Sequence, residues 1–236
     1  MPASQHRHLE RVVDQLRTQH GPQSAPPADS AFALVLWEKV AYLAPDERRA
    51  SAFEMLRTRV GLTPEAILAA PRNVLREITT AGGKVGADER AQRMQDAAAL
   101  VIDEFDGSLD SVLQLPLVEA RRALQRIYGI GEPGAERILL LMRAHRVLPL
   151  DSNGARTMVR LGYGADHRNY STMYKSVREA AAKQIREEFD WLVDAHLLLR
   201  RHGQNVCKTS VPKCESCAVV KLCAFGRRGA AEWKPV

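Results

Sequence analysis

LQRIYGIGEPGAERILLL, residues 124–141, is the stretch on which the architecture turns. Leu124 and Ile127 close one helical pattern, and Ile138, Leu139 and Leu140 belong to the next. Between them Gly129 and Gly131 flank Ile130, and a new helix begins at Glu132 or Pro133, where proline is well tolerated. The spacing predicts a helix, a tight glycine turn and a second helix. Two glycines let such a turn approach a phosphate closely and present backbone N–H groups at a helix N-terminus, where an anion can bind. Contacts of that kind position DNA without reading its sequence. Taken alone, a G-x-G turn is more simply a plain connection between two helices.

Outward from this turn the pattern stays helical. HLERVVDQLRTQH (8–20) lines up Leu9, Val12, Val13 and Leu16 on one face, and GPQSAPPADS (21–30) breaks it, offering Asp29 or Ser30 as an N-cap. AFALVLWEKVAYLA (31–44) reads as a helix buried all round, and DERRASAFEMLRTRVG (46–61) as an amphipathic one. TPEAILAA opens with a cap followed by proline, and PRNVLREITTAGG and GADERAQRMQDAAALVIDEFDG read as two more helices around a glycine loop. SLDSVLQLPLVEARRALQRIYG reads as one helix leading into the turn. YSTMYKSVREAAAKQIREEF (170–189) and DWLVDAHLLLRRHG (190–203) complete the set. Strand-like alternation and fixed repeats are nearly absent, so the fold class is all-α.

The 236 residues are 45% hydrophobic and 26% charged, an ordinary balance for a globular chain. No apolar run suits a membrane span, and MPASQHRHLERVVDQL lacks the apolar centre of a signal peptide. These features read as a cytosolic protein, nucleoid-associated in a bacterium, and with no heptad run or distinct apolar patch it is read as a monomer. The net charge of +6 falls entirely on residues 196–236, where eight Lys/Arg face Glu215 and Glu232. That basic segment suits a polyanion such as nucleic acid, or is a solvated tail. It surrounds all four cysteines, in CKTSVPKCESCAVVKLC (207–223). Four thiolates in a compact loop can ligate a tetrahedral zinc or a [4Fe–4S] cluster, and in a reducing compartment metal binding outweighs disulfide pairing. Zinc sites usually carry two C-x2–4-C knuckles, whereas here Cys214 and Cys217 form one.

The order of hairpin, then VLPLDSNGAR (147–156), then cysteine loop resembles the helix-hairpin-helix DNA glycosylase superfamily, in particular its endonuclease III-like branch. That branch carries L-P-G-V-G-x-x-x-A, then an aspartate, then C-x6-C-x2-C-x5-C. Here stand IYGIGEPGA, Asp151, and Cys207, Cys214, Cys217 and Cys223 at that same spacing. The resemblance runs from about Gln5 to Phe225. It implies a helical barrel domain with the hairpin over 27–147, and an iron–sulfur domain over 1–26 and 148–236. It further implies a [4Fe–4S] cluster on the four cysteines, fixing a loop whose Lys208, Lys213 and Lys221 meet the DNA backbone and offset the thiolate charge. Gly129, Ile130, Gly131 and Gly134 of the hairpin and Arg156 are the other implied DNA-binding positions, Arg156 also orienting the helix after Asp151.

The family breaks the N-glycosidic bond of a damaged or mispaired base flipped out of the duplex. Its bifunctional members also cut the strand through a hairpin lysine acting as Schiff-base nucleophile. That position is Pro133 here, which has no amine, so the resemblance implies a monofunctional glycosylase. Two other readings remain: a catalytically silent DNA-binding relative, and a bifunctional enzyme with a relocated amine such as Lys39 or Lys84. Asp151 matches the aspartate that stabilises the oxocarbenium-like sugar or activates the nucleophile; it is equally a helix N-cap. The family's neighbouring D-T-H is Asp151-Ser152-Asn153 in this chain. Glu38 sits in an apolar helix with Leu34 and Tyr42 four residues to either side. It falls where adenine-specific mismatch glycosylases carry the glutamate that protonates the leaving base, and desolvation would suit it to that task. Its alternatives are an internal ion pair or a solvent-facing edge. The family's S-A-Q-A-T-like segment is AYLAP (41–45) here, which places Tyr42 and Leu43 at the lesion pocket, with an apolar side chain able to act as a wedge. The chain ends thirteen residues after Cys223, so the extra C-terminal domain with which those mismatch enzymes read an opposing oxidised guanine is expected to be missing.

Overall fold

The computed structural model describes residues 8–228; Gln5, Glu232 and Lys234 lie outside the described residues. Along the chain run α1 (His8–His20), α2 (Ala31–Val40), α3 (Asp46–Arg59), α4 (Pro64–Ala69), α5 (Arg72–Ala81), α6 (Ala87–Phe105) and α7 (Asp110–Leu113). There follow α8 (Leu117–Gln125), α9 (Glu132–Leu141), α10 (Ser152–Leu161), α11 (Tyr170–Ala181), α12 (Phe189–Asn205) and α13 (Ala224–Arg228). No strand occurs among the described residues, and the chain is all-α. No described helix is long and apolar enough to cross a membrane. The helices fall into two compact units, Pro26–His145 and Met1–Ala25 with Arg146–Val236.

In the unit Pro26–His145, α2 is the central element, packed against α3, α5, α6 and α9. Ser30 caps it, its Oγ accepting from the Ala33 N–H at 3.1 Å. Phe32, Val35 and Leu36 then join Phe53, Leu56, Ile78 and Met94 in a common core. The apolar run continues to Ala44 but the helix does not. It stops at Val40, and Ala41 is extended at φ −140°, ψ 148°. The stop is tertiary in origin. Gly82, at the end of α5, comes so close that a Cβ there would stand 2.2 Å from the Val40 carbonyl oxygen. The buried Arg90 guanidinium donates to that same oxygen at 2.6 Å, and to the Thr79 carbonyl at 2.8 Å. Burial is the main influence lowering the Arg90 pKa, with Arg49 adding to it, and hydrogen bonds to the carbonyls of Val40, Thr79, Gly83 and Val85 are what offset its desolvation. Gly82→Ala is expected to destabilise the fold by about 2–3 kcal/mol, since every near neighbour of the new methyl is backbone and nothing can rotate away. Urea unfolding measures it; an unchanged midpoint would show that α2 and α5 can part at no cost.

The other unit packs α10 against α12, with α1 on α12 and α11 and α13 on α10. Leu9, Val12, Val13 and Leu16 of α1 are fully buried, as the sequence pattern requires. Two long helices of the sequence reading are shorter. The segment 170–189 leaves the α-helix at Ala181, makes one 3-10 turn over Ala182–Gln184 and extends at Ile185, so Phe189 begins α12 instead. In the hairpin unit, Pro116 likewise divides α7 from α8, because proline cannot donate to the preceding turn.

Candidate nucleic-acid interface and cysteine loop

The hairpin forms as its sequence indicates, with α8 and α9 joined through a turn in which Ile130 N–H donates to the Ile127 carbonyl at 3.0 Å. Gly129 has φ +82°, a left-handed conformation that favours glycine. Gly131 is the extended N-cap of α9 and brings no side-chain cap, so the helix presents its first-turn amides without one. Ile130 is buried and pins the turn to the core, and Gly134 faces Ile130 Cγ2 at an ordinary van der Waals distance for an added Cβ. Arg121 of α8 holds the first turn of α9 from the side: it pairs with the fully buried Glu136 at 2.9 Å and with Glu132 at 2.5 Å.

Glu38 takes up the ion-pair alternative of the sequence reading. Its side chain is one-quarter exposed and forms an ion pair with Arg137 of α9. Because α2 ends at Val40, Tyr42 does not continue the Leu34–Glu38 stripe. Tyr42 and Leu43 are instead exposed, Leu43 at 80%, and Leu43 holds φ +49°, an uncommon conformation for a branched apolar residue. Lys39, next to Glu38, is nearly buried, and its Nζ donates to the Tyr128 carbonyl in the hairpin turn.

Asp151 is the N-cap of α10, its Oδ1 accepting from the Gly154 N–H at 2.8 Å. The cap does not consume the group. Oδ2 faces Asn153 Nδ2 at 3.4 Å and Arg200 Nε at 3.4 Å, and 20% of the side chain is open to solvent. Arg200, on α12, was visible in the sequence only as one charge among many. Arg156, expected at the DNA, is committed elsewhere: it donates to the carbonyls of Cys207 at 3.0 Å and Gly203 at 2.8 Å and to Asn153 Oδ1 at 3.0 Å. Three acceptors inside the unit make it a tie between α10, the end of α12 and the cysteine loop.

The four cysteines are free thiols lining one cavity with Leu161, Val206, Val219, Val220 and Phe225. No three described His, Cys, Asp or Glu side chains converge as ligands of a single ion. Two side-chain donors approach the sulfurs. Arg160 Nη1 lies 3.4 Å from Cys207 Sγ and also donates to the Lys208 carbonyl at 2.6 Å, while His202 Nε2 lies 3.5 Å from Cys217 Sγ. Burial pushes the Cys217 thiol up to about 11 and raises Cys214 and Cys223. Thiols held in this state deprotonate readily only when a cation takes up their charge. Lys208, Lys213 and Lys221 are exposed, Lys213 also lining the cavity, and the side-chain donors at the sulfurs are Arg160 and His202, which the sequence reading missed.

No family model matches the chain. It is 27% identical over 197 residues to endonuclease III of Sulfolobus acidocaldarius, spanning 83% of this chain and 82% of that protein. It is 24% identical over 162 residues to the thymine/uracil-DNA glycosylase of Methanothermobacter thermautotrophicus, spanning 68% of this chain and 67% of that one. Among solved structures, a non-covalent endonuclease III–DNA complex is similar with a TM-score of 0.73 at 19% identity, over 98% of this chain and 100% of that one. A thermostable thymine-DNA glycosylase gives 0.74 at 17% identity, over 96% and 100%. Sequence likeness and fold agree, and the chain is similar to the endonuclease III-like branch of the helix-hairpin-helix DNA glycosylases.

Proposed function

We propose that the protein is a monofunctional DNA glycosylase that hydrolyses the N-glycosidic bond of a deaminated or mispaired base. The observation that carries the reading is a pair of neighbouring facts. The lyase lysine position is Pro133, while Asp151 keeps an anchored, partly solvent-open carboxylate. In the proposed reaction the C1′–N bond breaks and its electron pair leaves with the base. The Asp151 charge stabilises the sugar cation, and water adds to C1′ and releases a proton. Glu38 supplies the proton taken up by the base. Its ion pair with Arg137 means that it must first gain that proton and release Arg137, which then receives the carboxylate again after transfer. Leu43 is the wedge of the proposal, an exposed apolar side chain on a loop rooted at Val40 by Arg90.

The four cysteines are proposed to hold a [4Fe–4S] cluster, supported by their lining of one cavity, by the donors at two sulfurs and by the family's spacing. When bound, the cluster supplies a structural tie that fixes Lys208, Lys213 and Lys221 toward the DNA backbone. Of the two relocated amines, Lys39 is disfavoured by its surroundings, its Nζ being engaged with a backbone carbonyl in a nearly closed site, while Lys84 is exposed and is left to the trapping experiment. The test is release of free base from duplexes carrying G·T, G·U and other lesions, with borohydride trapping alongside. Release of thymine or uracil with no trapped adduct is expected. Strong trapping would overturn the monofunctional assignment, and no release from any duplex would favour a silent DNA-binding relative.

A further inference from the structure

Lys39 is an unusual residue for its place. It lies on the central apolar helix at 6% exposure, within one turn of the point where α2 ends. A buried ammonium needs a strong reason to be there. Its Nζ donates to the Tyr128 carbonyl, and a Cβ added at Gly129 would stand 3.7 Å from it, so the cation lies against the glycine turn. The exposed Tyr128 ring is flanked in turn by the Arg93 guanidinium of α6, 4.8 Å from its centroid. The charges that act on Lys39 are Arg93 and Asp96 from α6 and Glu38 from its own helix. Two cations and one backbone hydrogen bond therefore brace the turn that carries Gly129, Ile130 and Gly131.

We infer that Lys39 is a positioning residue for DNA binding: its ammonium clamps the Tyr128 carbonyl to fix the hairpin turn and sets a positive charge against the turn where a backbone phosphate docks. The inference rests on the reading that the hairpin meets the DNA backbone, and goes beyond it by assigning the group that prepares the turn. A carbonyl held by a cation is polarised, and the neighbouring amides of the turn become better donors to a phosphate. Unlike a surface lysine, this cation is not free to follow the strand, so it preorganises the contact rather than chasing it. Burial, with Arg93 adding to it, lowers the Lys39 pKa to about 8. The sign follows from linkage: a docked phosphate favours the charged amine, so DNA binding takes up a proton here and weakens as pH rises through the free protein's value.

The experiment measures affinity for an undamaged duplex by fluorescence anisotropy between pH 7 and 9.5, using the full chain with Lys39→Met and Lys39→Arg. At pH 7, Lys39→Met is expected to bind about tenfold more weakly than the wild type, with its weakening across the alkaline range reduced, while Lys39→Arg keeps the affinity and does not titrate. Circular dichroism checks that both variants fold. Wild-type affinity and pH profile in Lys39→Met would overturn the inference while leaving the hairpin reading intact. A Lys39→Arg variant as weak as Lys39→Met would also overturn it, because the charge would then not be the cause. A wild type that fails to bind any duplex would instead end the hairpin reading itself.

Discussion

Asp151→Asn is expected to slow single-turnover base release by about 10²–10³-fold while leaving the fold and duplex affinity nearly unchanged. The expectation separates two roles that one carboxylate performs. As an N-cap, Asp151 gives an oxygen to the Gly154 N–H, and asparagine caps about as well as aspartate. As an electrostatic group it gives a full negative charge, which the amide cannot supply to a developing sugar cation. Asp151→Ala loses both, and should therefore add a stability loss of about 1 kcal/mol to the rate loss. The surroundings support holding the charge in place rather than quenching it. Arg200 and Asn153 stand at the long distance of 3.4 Å, and a fifth of the side chain stays open. Equal release rates for wild type and Asp151→Asn would reduce the residue to a helix cap and withdraw it from the chemistry.

What the sequence made legible was whatever depends on local spacing. The α1 stripe, the Ser30 and Thr63 caps and the glycine turn are each set by residues within one or two turns of helix, and they formed as read. The errors lie where a distant backbone intervened. An apolar run that continues to Ala44 cannot show that Gly82 and Arg90, some fifty residues on, will end α2 at Val40. With α2 shortened, Tyr42 left the buried stripe, and Leu43 became the exposed tip of a loop instead of the next turn of a helix.

The site followed the same rule. Cysteine spacing and the position of Asp151 are patterns along the chain and could be read directly. The partners of those groups are not. Arg137 beside Glu38, Arg200 beside Asp151, and Arg160 and His202 beside the thiols come from other helices, and an arginine in a sequence does not announce what it will meet. Arg156, read as orienting the helix after Asp151, does so through three internal acceptors that no spacing along the chain announces.

Cys217→Ala is expected to release the iron, loosen residues 207–223 and lower the salt dependence of DNA binding by about two to three units of log–log slope. Little regular structure of its own holds this segment. Its regular structure is two single turns of 3-10 helix, and its buried apolar residues are Val219 and Cys223 alone, with Phe225 of α13 beside the cavity and Val211 exposed. Outside help comes from single side chains: Arg156 and Arg160 bind the carbonyls of Cys207, Lys208 and Thr209 at the start of the loop, Gln19 of α1 brackets Ser216 and Ala218 in its middle, and His8 meets the Leu222 carbonyl near its end. On the proposed cluster reading, the metal is the staple that completes the fold of so small a segment. Removing one ligand sulfur also leaves the cavity and the remaining buried thiols without a charge to meet. Each exposed lysine that stops neutralising a phosphate removes about 0.9 from the slope, and the loop carries Lys208, Lys213 and Lys221. A triple Lys→Gln variant of those three residues should lose the same slope yet keep its iron and its thermal stability. If Cys217→Ala retains full iron content and wild-type salt dependence, the loop folds without the cluster. If the triple variant keeps the wild-type slope, the lysines face solvent alone.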